Sequence, residues 1–356
     1  CGPAVLFGIK GGKYGLYPRR STVNLAPRTR ACILGCSGVR LTAPERKFFC
    51  SSPPLGFILF ARNISSATQV LALCSDLRDC VGWNAPILID QEGGRVQRLW
   101  PPLGRAFLPP LEQCQRAGAQ AGRAMYLRFR IIATELQALG IDVNCAPVAD
   151  IAHPDTHPFL RNRCYGDTAA QVVKLARAAA NGLLDGGVVP VVKHMPGHGR
   201  GAVDSHHALP RVTASAAVLV REDFAAFTGL NDLPMAMTAH VVYDACDTLP
   251  ATVSARMLAI MRHQIGFSGL IMTDDISMHA LPGDLDGRAD AAIAAGCDVV
   301  LHCSGALDEM IAVSRAVGRM STVARQRAKA GLEQRNSGGS VDILNLDAQL
   351  ATLVGK

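Results

Sequence analysis

The sequence lacks several features that mark whole classes of protein. No uninterrupted apolar run reaches the ~20 residues that a membrane-spanning helix needs, so we expect no transmembrane segment and no membrane partner. The 12 cysteines include no C-x-x-C pair of the zinc or redox type. They are spread along a long chain rather than arranged as a disulfide framework, so the expected setting is the reducing cytoplasm.

Acidic residues are absent from the first 44 positions, which carry seven Lys and Arg residues. The formal net charge of +7 therefore belongs to this basic leader, and the rest of the chain is neutral. A neutral body offers no basic face to follow a phosphate backbone, so we expect no nucleic-acid partner. Residues 1–30 are predicted to be a basic, poorly ordered N-terminal extension that does not join the fold.

From residue 31 onward, short apolar runs alternate with longer helical patterns, which is typical of a parallel α/β fold. Helical patterns cover 117–139, 169–184, 216–230, 289–295, 306–320 and 323–333. Eight strands are predicted, at 32–36, 55–60, 86–90, 141–146, 188–193, 235–240, 269–273 and 298–302. This alternation favours a single-domain TIM-type (β/α)8 barrel over residues 31–335. Residues 336–356 would then form a linker and a C-terminal helix that packs on the barrel.

Polar residues follow the apolar part of most of the predicted strands. They are Asp90, Gln91, Glu92, Asp150, Lys193, His194, His240, Asp274 and Asp275. The C-terminal ends of the strands of a parallel barrel lie on one face, so these side chains are expected to converge on one rim, where barrel enzymes hold their catalytic groups. An open sheet would gather ligand groups at one switch point, but no Gly-rich dinucleotide fingerprint follows any strand.

Two constellations suit the cleavage or transfer of a glycosyl group, which needs a carboxylate at the anomeric carbon and a proton donor at the leaving oxygen. Asp274 is predicted to be the nucleophile; the alternative is that Asp274 or Asp275 caps the following helix. Asp204 and His206 are predicted to supply the proton, because a carboxylate can orient an imidazole and raise its basicity. The alternative for this pair is an ordinary turn with an exposed histidine.

Two other chemistries are open to residues 193–198. His194 and His198 are four positions apart, as in helical zinc sites, but Pro196 and Gly197 exclude that helix, so we expect no metal. Lys193 at a strand end could form a Schiff base in an aldolase-like lyase on the same barrel. A sugar-binding protein without catalytic activity is a further alternative.

Four motifs together resemble the NagZ-type β-N-acetylglucosaminidases (β-hexosaminidases) of glycoside hydrolase family 3. These motifs are DQEGGRVQR at 90–98, KHMPGHG at 193–199, DSH at 204–206 and TDDISM at 273–278. The resemblance runs from about residue 31 to the end, in the order and spacing of the family. Each motif alone would be weak evidence, whereas the four in sequence are specific.

This resemblance implies a retaining exo-β-N-acetylglucosaminidase that removes terminal β-linked GlcNAc, in bacteria mainly from muropeptides during peptidoglycan recycling. It implies a covalent glycosyl-enzyme on Asp274, an Asp204/His206 general acid/base dyad, and neither metal nor organic cofactor. The sugar-binding residues that it implies are Asp90, Arg98, Arg163, Lys193 and His194. A monomer that acts on a small carbohydrate is expected, and phosphorolysis instead of hydrolysis is a variant within the family.

The sequence departs from the family at three positions near these motifs. Met195 stands where Phe is usual and Cys164 where Ser is common, and both keep an apolar or small side chain. Arg200 stands where a small or acidic residue is usual, so loop dynamics or leaving-group preference could differ. Two assignments keep alternatives: Asp90 could simply pair with Arg95 or Arg98, and Arg163 could be a surface charge.

Overall fold

The computed structural model describes residues 23, 25–201, 209–335, 338–339 and 341–355. Eight parallel strands close into a barrel, in chain order, with the last strand pairing back to the first. They are β1 (Arg30–Leu34), β2 (Pro54–Leu59), β3 (Ile87–Ile89), β4 (Val143–Asn144), β5 (Val189–Met195), β6 (Met235–Thr238), β7 (Leu270–Asp275) and β8 (Val299–His302). The predicted TIM-type barrel and each of its eight strands are confirmed.

Helices surround the barrel. They are α1 (Ala43–Ser51), α2 (Ala67–Val81), α3 (Pro110–Ala117), α4 (Ala121–Ala138), α5 (Pro158–Arg161), α6 (Ala169–Asp185), α7 (Ala216–Arg221), α8 (Asp223–Thr228), α9 (Ala255–Ala259), α10 (Leu285–Ala295), α11 (Leu307–Val317), α12 (Thr322–Leu332) and α13 (Ile343–Val354). Polar side chains cap several of them: Ser66 accepts a hydrogen bond at the start of α2 and Thr168 at the start of α6.

Two of the predicted helices are each divided. The pattern at 117–139 spans the end of α3, a 3-10 turn at Gly118–Gln120 and α4. Gly118 has φ +52°, a conformation that ends an α-helix and that only glycine adopts without strain. The pattern at 216–230 is divided at Glu222 into α7 and α8. Apolar periodicity continues across both breaks, so it could not locate them.

Outside the barrel, Arg211–Val212 and Val242–Tyr243 form a small two-stranded parallel sheet that the sequence did not predict. Helix α13 lies against the barrel's outer helices: Leu350 is 1% exposed, and Arg123 on α4 donates a hydrogen bond to Gln349. Within the described ranges, no helix is both long and apolar enough to cross a membrane.

Candidate active site

A pocket opens at the C-terminal ends of the strands, and polar and charged side chains line much of it. Six of the eight predicted site residues line it, namely Asp90, Arg98, Arg163, Lys193, His194 and Asp274. The other two, Asp204 and His206, lie outside the described residues. The convergence of strand-end side chains that a parallel barrel predicts is therefore realised for Asp90, Lys193, His194 and Asp274, whereas Arg98 and Arg163 reach the pocket from loops.

Asp90, directly after β3, joins two cations at the edge of the pocket. Its Oδ1 accepts a hydrogen bond from Lys193 Nζ at 2.8 Å, and its Oδ2 accepts one from Arg98 Nη2 at 3.3 Å. These cations hold the pKa of the Asp90 carboxyl below its usual value, although burial opposes ionisation. The expected pairing of Asp90 with Arg98 is present, and both residues also face the pocket. Arg95 instead stacks on the Phe159 ring at 4.0 Å.

Glu92 is the residue of this cluster to which the sequence assigned no role. Its side chain is fully buried, and it accepts hydrogen bonds from Arg163 Nε at 3.0 Å and Arg163 Nη2 at 2.8 Å. Lys193 Nζ lies 2.7 Å from Glu92 Oε1. Burial disfavours a charge here, but the two cations outweigh it and lower the pKa of Glu92 to about 2. Glu92 is therefore an anion at neutral pH.

Arg163 reaches the pocket from the turn after α5 and is only 6% exposed, so the surface-charge alternative is wrong. Lys193 is 2% exposed and lies between Asp90 and Glu92. Burial alone would lower the pKa of Lys193, but the two carboxylates raise it well above its usual value. A Schiff base requires an unprotonated amine, so this environment argues against the lyase alternative.

Two histidines, His194 near the end of β5 and His198 just after that strand, share Asp150. The His194 Nδ1 atom lies 2.6 Å from Asp150 Oδ2, and the backbone N–H of His198 donates to Asp150 Oδ1 at 2.7 Å. Burial, assisted by the neighbouring His194, lowers the pKa of His198 to about 4. Its Nδ1 has no partner among the described residues. Asp150 thus fixes one edge of the pocket, because it binds both the His194 side chain and the His198 backbone.

Asp274 is the penultimate residue of β7 and lines the pocket. Its Oδ1 accepts the Asp275 N–H at 2.8 Å, while its Oδ2 accepts no hydrogen bond from the described residues. Burial opposes ionisation, but His194 and His240 lower the pKa of Asp274 below its usual value. The next long helix, α10, is capped by Asp284, so the helix-cap alternative for Asp274 and Asp275 is wrong. The result is an ionised carboxylate with one oxygen held and one available.

His240 holds the backbone next to Asp274. Its Nε2 lies 3.0 Å from the Asp275 carbonyl oxygen, which can only accept, so Nε2 carries the proton. Its Nδ1 then accepts from the Thr252 hydroxyl at 2.7 Å, and Thr252 in turn lies 2.7 Å from the Thr238 hydroxyl. Burial lowers the pKa of His240, consistent with this neutral tautomer. The strand-end position of His240 predicted its place on the rim but not this role.

The backbone that leads toward the predicted dyad is held at several points. The Tyr243 hydroxyl donates to the Gly197 carbonyl at 2.6 Å, and Thr156 donates to the Gly199 carbonyl at 2.5 Å. Arg200, the departure noted above, donates to Asp223 at 2.6 Å and also pairs with Glu222. Arg200 thus forms ion pairs with two neighbouring carboxylates, Glu222 between α7 and α8 and Asp223 at the start of α8.

Comparison with known proteins identifies the family. The model of the glycosyl hydrolase family 3 N-terminal domain matches residues 44–333. The chain belongs to glycosyl hydrolase family 3. It is 38% identical over 279 residues to the β-hexosaminidase of Alkalilimnicola ehrlichii, covering 76% of this chain and 80% of that protein. It is also 38% identical over 273 residues to the β-hexosaminidase of Methylococcus capsulatus, covering 75% and 80%.

Solved structures agree with this assignment. NagZ from Neisseria gonorrhoeae has a TM-score of 0.83 at 30% identity, covering 94% of this chain and 100% of that one. A family 3 β-N-acetylglucosaminidase from Paenibacillus sp. str. FPU-7 has a TM-score of 0.77 at 31% identity, and the chain spans 62% of its length. The predicted resemblance is confirmed, and the chain is a glycoside hydrolase of the β-N-acetylhexosaminidase type.

Proposed function

We propose that this enzyme is a retaining exo-β-N-acetylglucosaminidase that removes terminal β-linked GlcNAc through a covalent intermediate on Asp274. The observation that carries the proposal is the state of this carboxylate. It lies at the pocket surface, is ionised, is oriented through Oδ1 by the Asp275 N–H, and keeps Oδ2 free of the described residues. A nucleophile at an anomeric carbon needs this combination of charge, orientation and access.

In the first step of the proposed reaction, Asp274 Oδ2 forms a bond to the anomeric carbon and the bond from that carbon to the leaving oxygen breaks. His206, oriented by Asp204, donates its proton to the leaving oxygen. In the second step His206 takes a proton from water, the water oxygen attacks the anomeric carbon, and Asp274 is released as a carboxylate. The sugar configuration is retained because the carbon is inverted twice.

The proposed sugar-binding groups are Asp90, Arg98, Arg163, Lys193 and His194. All five line the pocket, and the charged side chains among them allow strong hydrogen bonds to sugar hydroxyls. A related structure supports a ligand of the N-acylglucosamine class: NagZ from Neisseria gonorrhoeae, at 29% identity to this chain and a TM-score of 0.82, was solved in complex with N-trifluoroacetyl-D-glucosamine. A site built around such donors and acceptors rejects sugars that lack the matching hydroxyl.

For the aglycone we propose muropeptide fragments, cleaved by a monomer in the cytoplasm during peptidoglycan recycling. The pocket edge supports an acidic, extended aglycone. Arg95 stacks on Phe159 at 4.0 Å, and Arg62 and Arg98 lie over Phe60 at 5.0 and 5.1 Å. Such cation-bearing aromatic surfaces suit a sugar ring that carries a carboxylate-containing peptide. In this proposal residues 31–335 form the catalytic barrel and residues 336–356 the linker and its helix.

The test is release of nitrophenol from an aryl β-N-acetylglucosaminide, beside the matching aryl β-glucoside. We expect turnover of the N-acetyl sugar alone, abolished in Asp274→Ala. No turnover by folded protein would overturn the proposal. Adding inorganic phosphate and identifying the product separates hydrolysis, which gives free GlcNAc, from phosphorolysis, which gives the sugar phosphate. Competition between a muropeptide and chitobiose then tests the aglycone.

A further inference from the structure

Lys193 and Arg163 line the pocket, but the carboxylate that binds both of them, that of Glu92, is buried beneath the pocket lining. Glu92 does not line the pocket, and its side chain is 0% exposed. One carboxylate nevertheless meets both cations: Oε2 accepts from Arg163 Nε, and Oε1 accepts from Arg163 Nη2 and lies 2.7 Å from Lys193 Nζ. The two cations would repel each other without this shared anion.

The backbone of Glu92 is fixed independently of its carboxylate. Arg128 on α4 is fully buried, and it donates to the Glu92 carbonyl oxygen from Nε at 3.0 Å and from Nη2 at 2.7 Å. The Glu92 N–H donates to the Val96 carbonyl at 2.9 Å. A side chain at Gly93 would place its Cβ 2.2 Å from Arg128, so the close approach of this arginine requires glycine. The backbone of Glu92 is therefore held in a fixed position from which its carboxylate reaches Lys193 and Arg163.

We propose that Glu92 is a positioning residue that orients Lys193 and Arg163, and keeps Lys193 charged, for binding of the terminal sugar. This inference rests on the proposed function, which makes those two cations sugar-binding groups. An ammonium has three N–H donors. Asp90 and Glu92 occupy two of them, which directs the third, and the bidentate contact fixes the plane of the Arg163 guanidinium. The binding groups are thus oriented before substrate arrives, which lowers the cost of binding.

The proposal predicts a specific pH signature. Asp90 and Glu92 face Lys193 from the segment after β3, Arg163 from the turn after α5, Cys145 from the end of β4, and Asp274 from the end of β7. The two nearest carboxylates hold the pKa of Lys193 high against burial and against Arg163. Removing the negative charge of Glu92 lowers that pKa, so Lys193 loses its proton at lower pH.

The experiment compares Glu92→Gln, which keeps size but removes charge, with Glu92→Asp, which keeps charge but shortens the reach. For Glu92→Gln with the aryl β-N-acetylglucosaminide, we expect KM to rise roughly tenfold or more with kcat changed less. The alkaline limb of its N-acetylglucosamine binding profile, measured by calorimetry because His206 would set the limb of kcat/KM, should move to lower pH. Glu92→Asp should raise KM but leave that limb in place. A wild-type KM and profile in Glu92→Gln would overturn the proposal, and so would a wild-type KM in Glu92→Asp.

Asp298→Asn is the matched control, because Asp298 is also a buried carboxylate held by two arginines, Arg262 and Arg327, but lies outside the pocket. Asp298→Asn should lower stability and leave KM and the pH profile unchanged. If Asp298→Asn raised KM as much as Glu92→Gln does, the role of Glu92 would be structural only and the proposal would be overturned. If the wild-type enzyme releases no nitrophenol, the proposed function fails by itself. Calorimetric binding of N-acetylglucosamine then tests Glu92 separately, with roughly tenfold weaker binding in Glu92→Gln supporting the inference and equal binding contradicting it.

Discussion

The two ends of the barrel use carboxylates in different ways. At the N-terminal end, Asp142 precedes β4 and Asp298 precedes β8, and each pairs with two arginines and accepts a backbone N–H from the preceding barrel strand. At the C-terminal end, Asp90 and Asp274 keep one side toward an open pocket. At the N-terminal end the carboxylates are bound entirely by protein groups, whereas at the C-terminal end polar groups remain available to a ligand.

This difference between the two ends suggests that the carboxylates at one end contribute to stability and those at the other end to function. Asp142 and Asp298 tie neighbouring strands and helices together, and neither lines the pocket. At the other end, Asp90 pairs with Lys193 and Arg98, which line the pocket, and Asp274 keeps Oδ2 free of the described residues. In (β/α)8 enzymes the C-terminal face carries the chemistry and the opposite face contributes stability. Substitutions at the two ends should therefore change different quantities.

The largest effect is expected for Asp274→Ala. Loss of the proposed nucleophile should lower kcat by at least ~10³-fold. Thermal unfolding should be little changed, because within the described residues the side chain makes one short-range hydrogen bond, to the adjacent Asp275 N–H. Steady-state kinetics and a thermal melt on the same sample measure both quantities. Activity within a few fold of wild type would remove Asp274 from the reaction.

Asp142→Asn should give the opposite result. The substitution leaves Arg78 and Arg335, at 3.1 and 2.7 Å, without their charged partner, and it should cost about 3 kcal/mol of unfolding free energy. Values of kcat and KM at a temperature where the variant is folded should equal those of wild type. Denaturant unfolding and steady-state kinetics test this, and a changed KM would break the contrast between the two ends.

His198→Gln tests how the rim end responds to acid. The pKa of His198 falls to about 4 in the folded protein, against about 6.5 when unfolded, so the unfolded state binds the proton first as pH falls. The contribution of neutral His198 to the unfolding free energy of the wild type is therefore lost as the pH falls from 6.5 to 4. Between pH 7 and 5 its unfolding free energy should drop by about 2 kcal/mol more than that of His198→Gln. Equal slopes in the two proteins would show that His198 is not buried neutral.

Thr252→Val should have the smallest effect. It removes the hydroxyl that donates to His240 Nδ1 at 2.7 Å and keeps the side-chain shape. His240 then holds the Asp275 carbonyl less firmly, and kcat should fall by about fivefold, corresponding to roughly 1 kcal/mol, with KM unchanged. A KM effect larger than the kcat effect would place His240 in substrate binding instead.

The sequence predicted the barrel and the convergence on its rim because both follow from local pattern. Alternating apolar runs located all eight strands, and a residue just after a strand of a parallel barrel must lie on the same face as the others. Asp90, Lys193 and Asp274 were found in this way. Asp204 and His206 lie outside the described residues and stay predictions.

Pairing across the barrel could not be predicted. Glu92 and Arg163 are 71 positions apart, and no periodicity indicates that this glutamate meets the arginine and Lys193 at once. The tautomer of His240 likewise depends on Thr252 and on the Asp275 carbonyl, which only the folded chain brings together. The breaks within 117–139 and 216–230 were missed because burial of one helix face does not require an unbroken helix.

The most direct test of the account is to trap the glycosyl-enzyme. A fluorinated N-acetylglucosaminyl fluoride, whose intermediate breaks down slowly, is incubated with the enzyme, and intact mass and peptide mapping locate the label. We predict one sugar adduct on the peptide that contains Asp274 and none in Asp274→Ala. Hydrolysis by the wild type with the label on another residue, or with inversion of the anomeric configuration, would contradict the assignment of Asp274 as nucleophile.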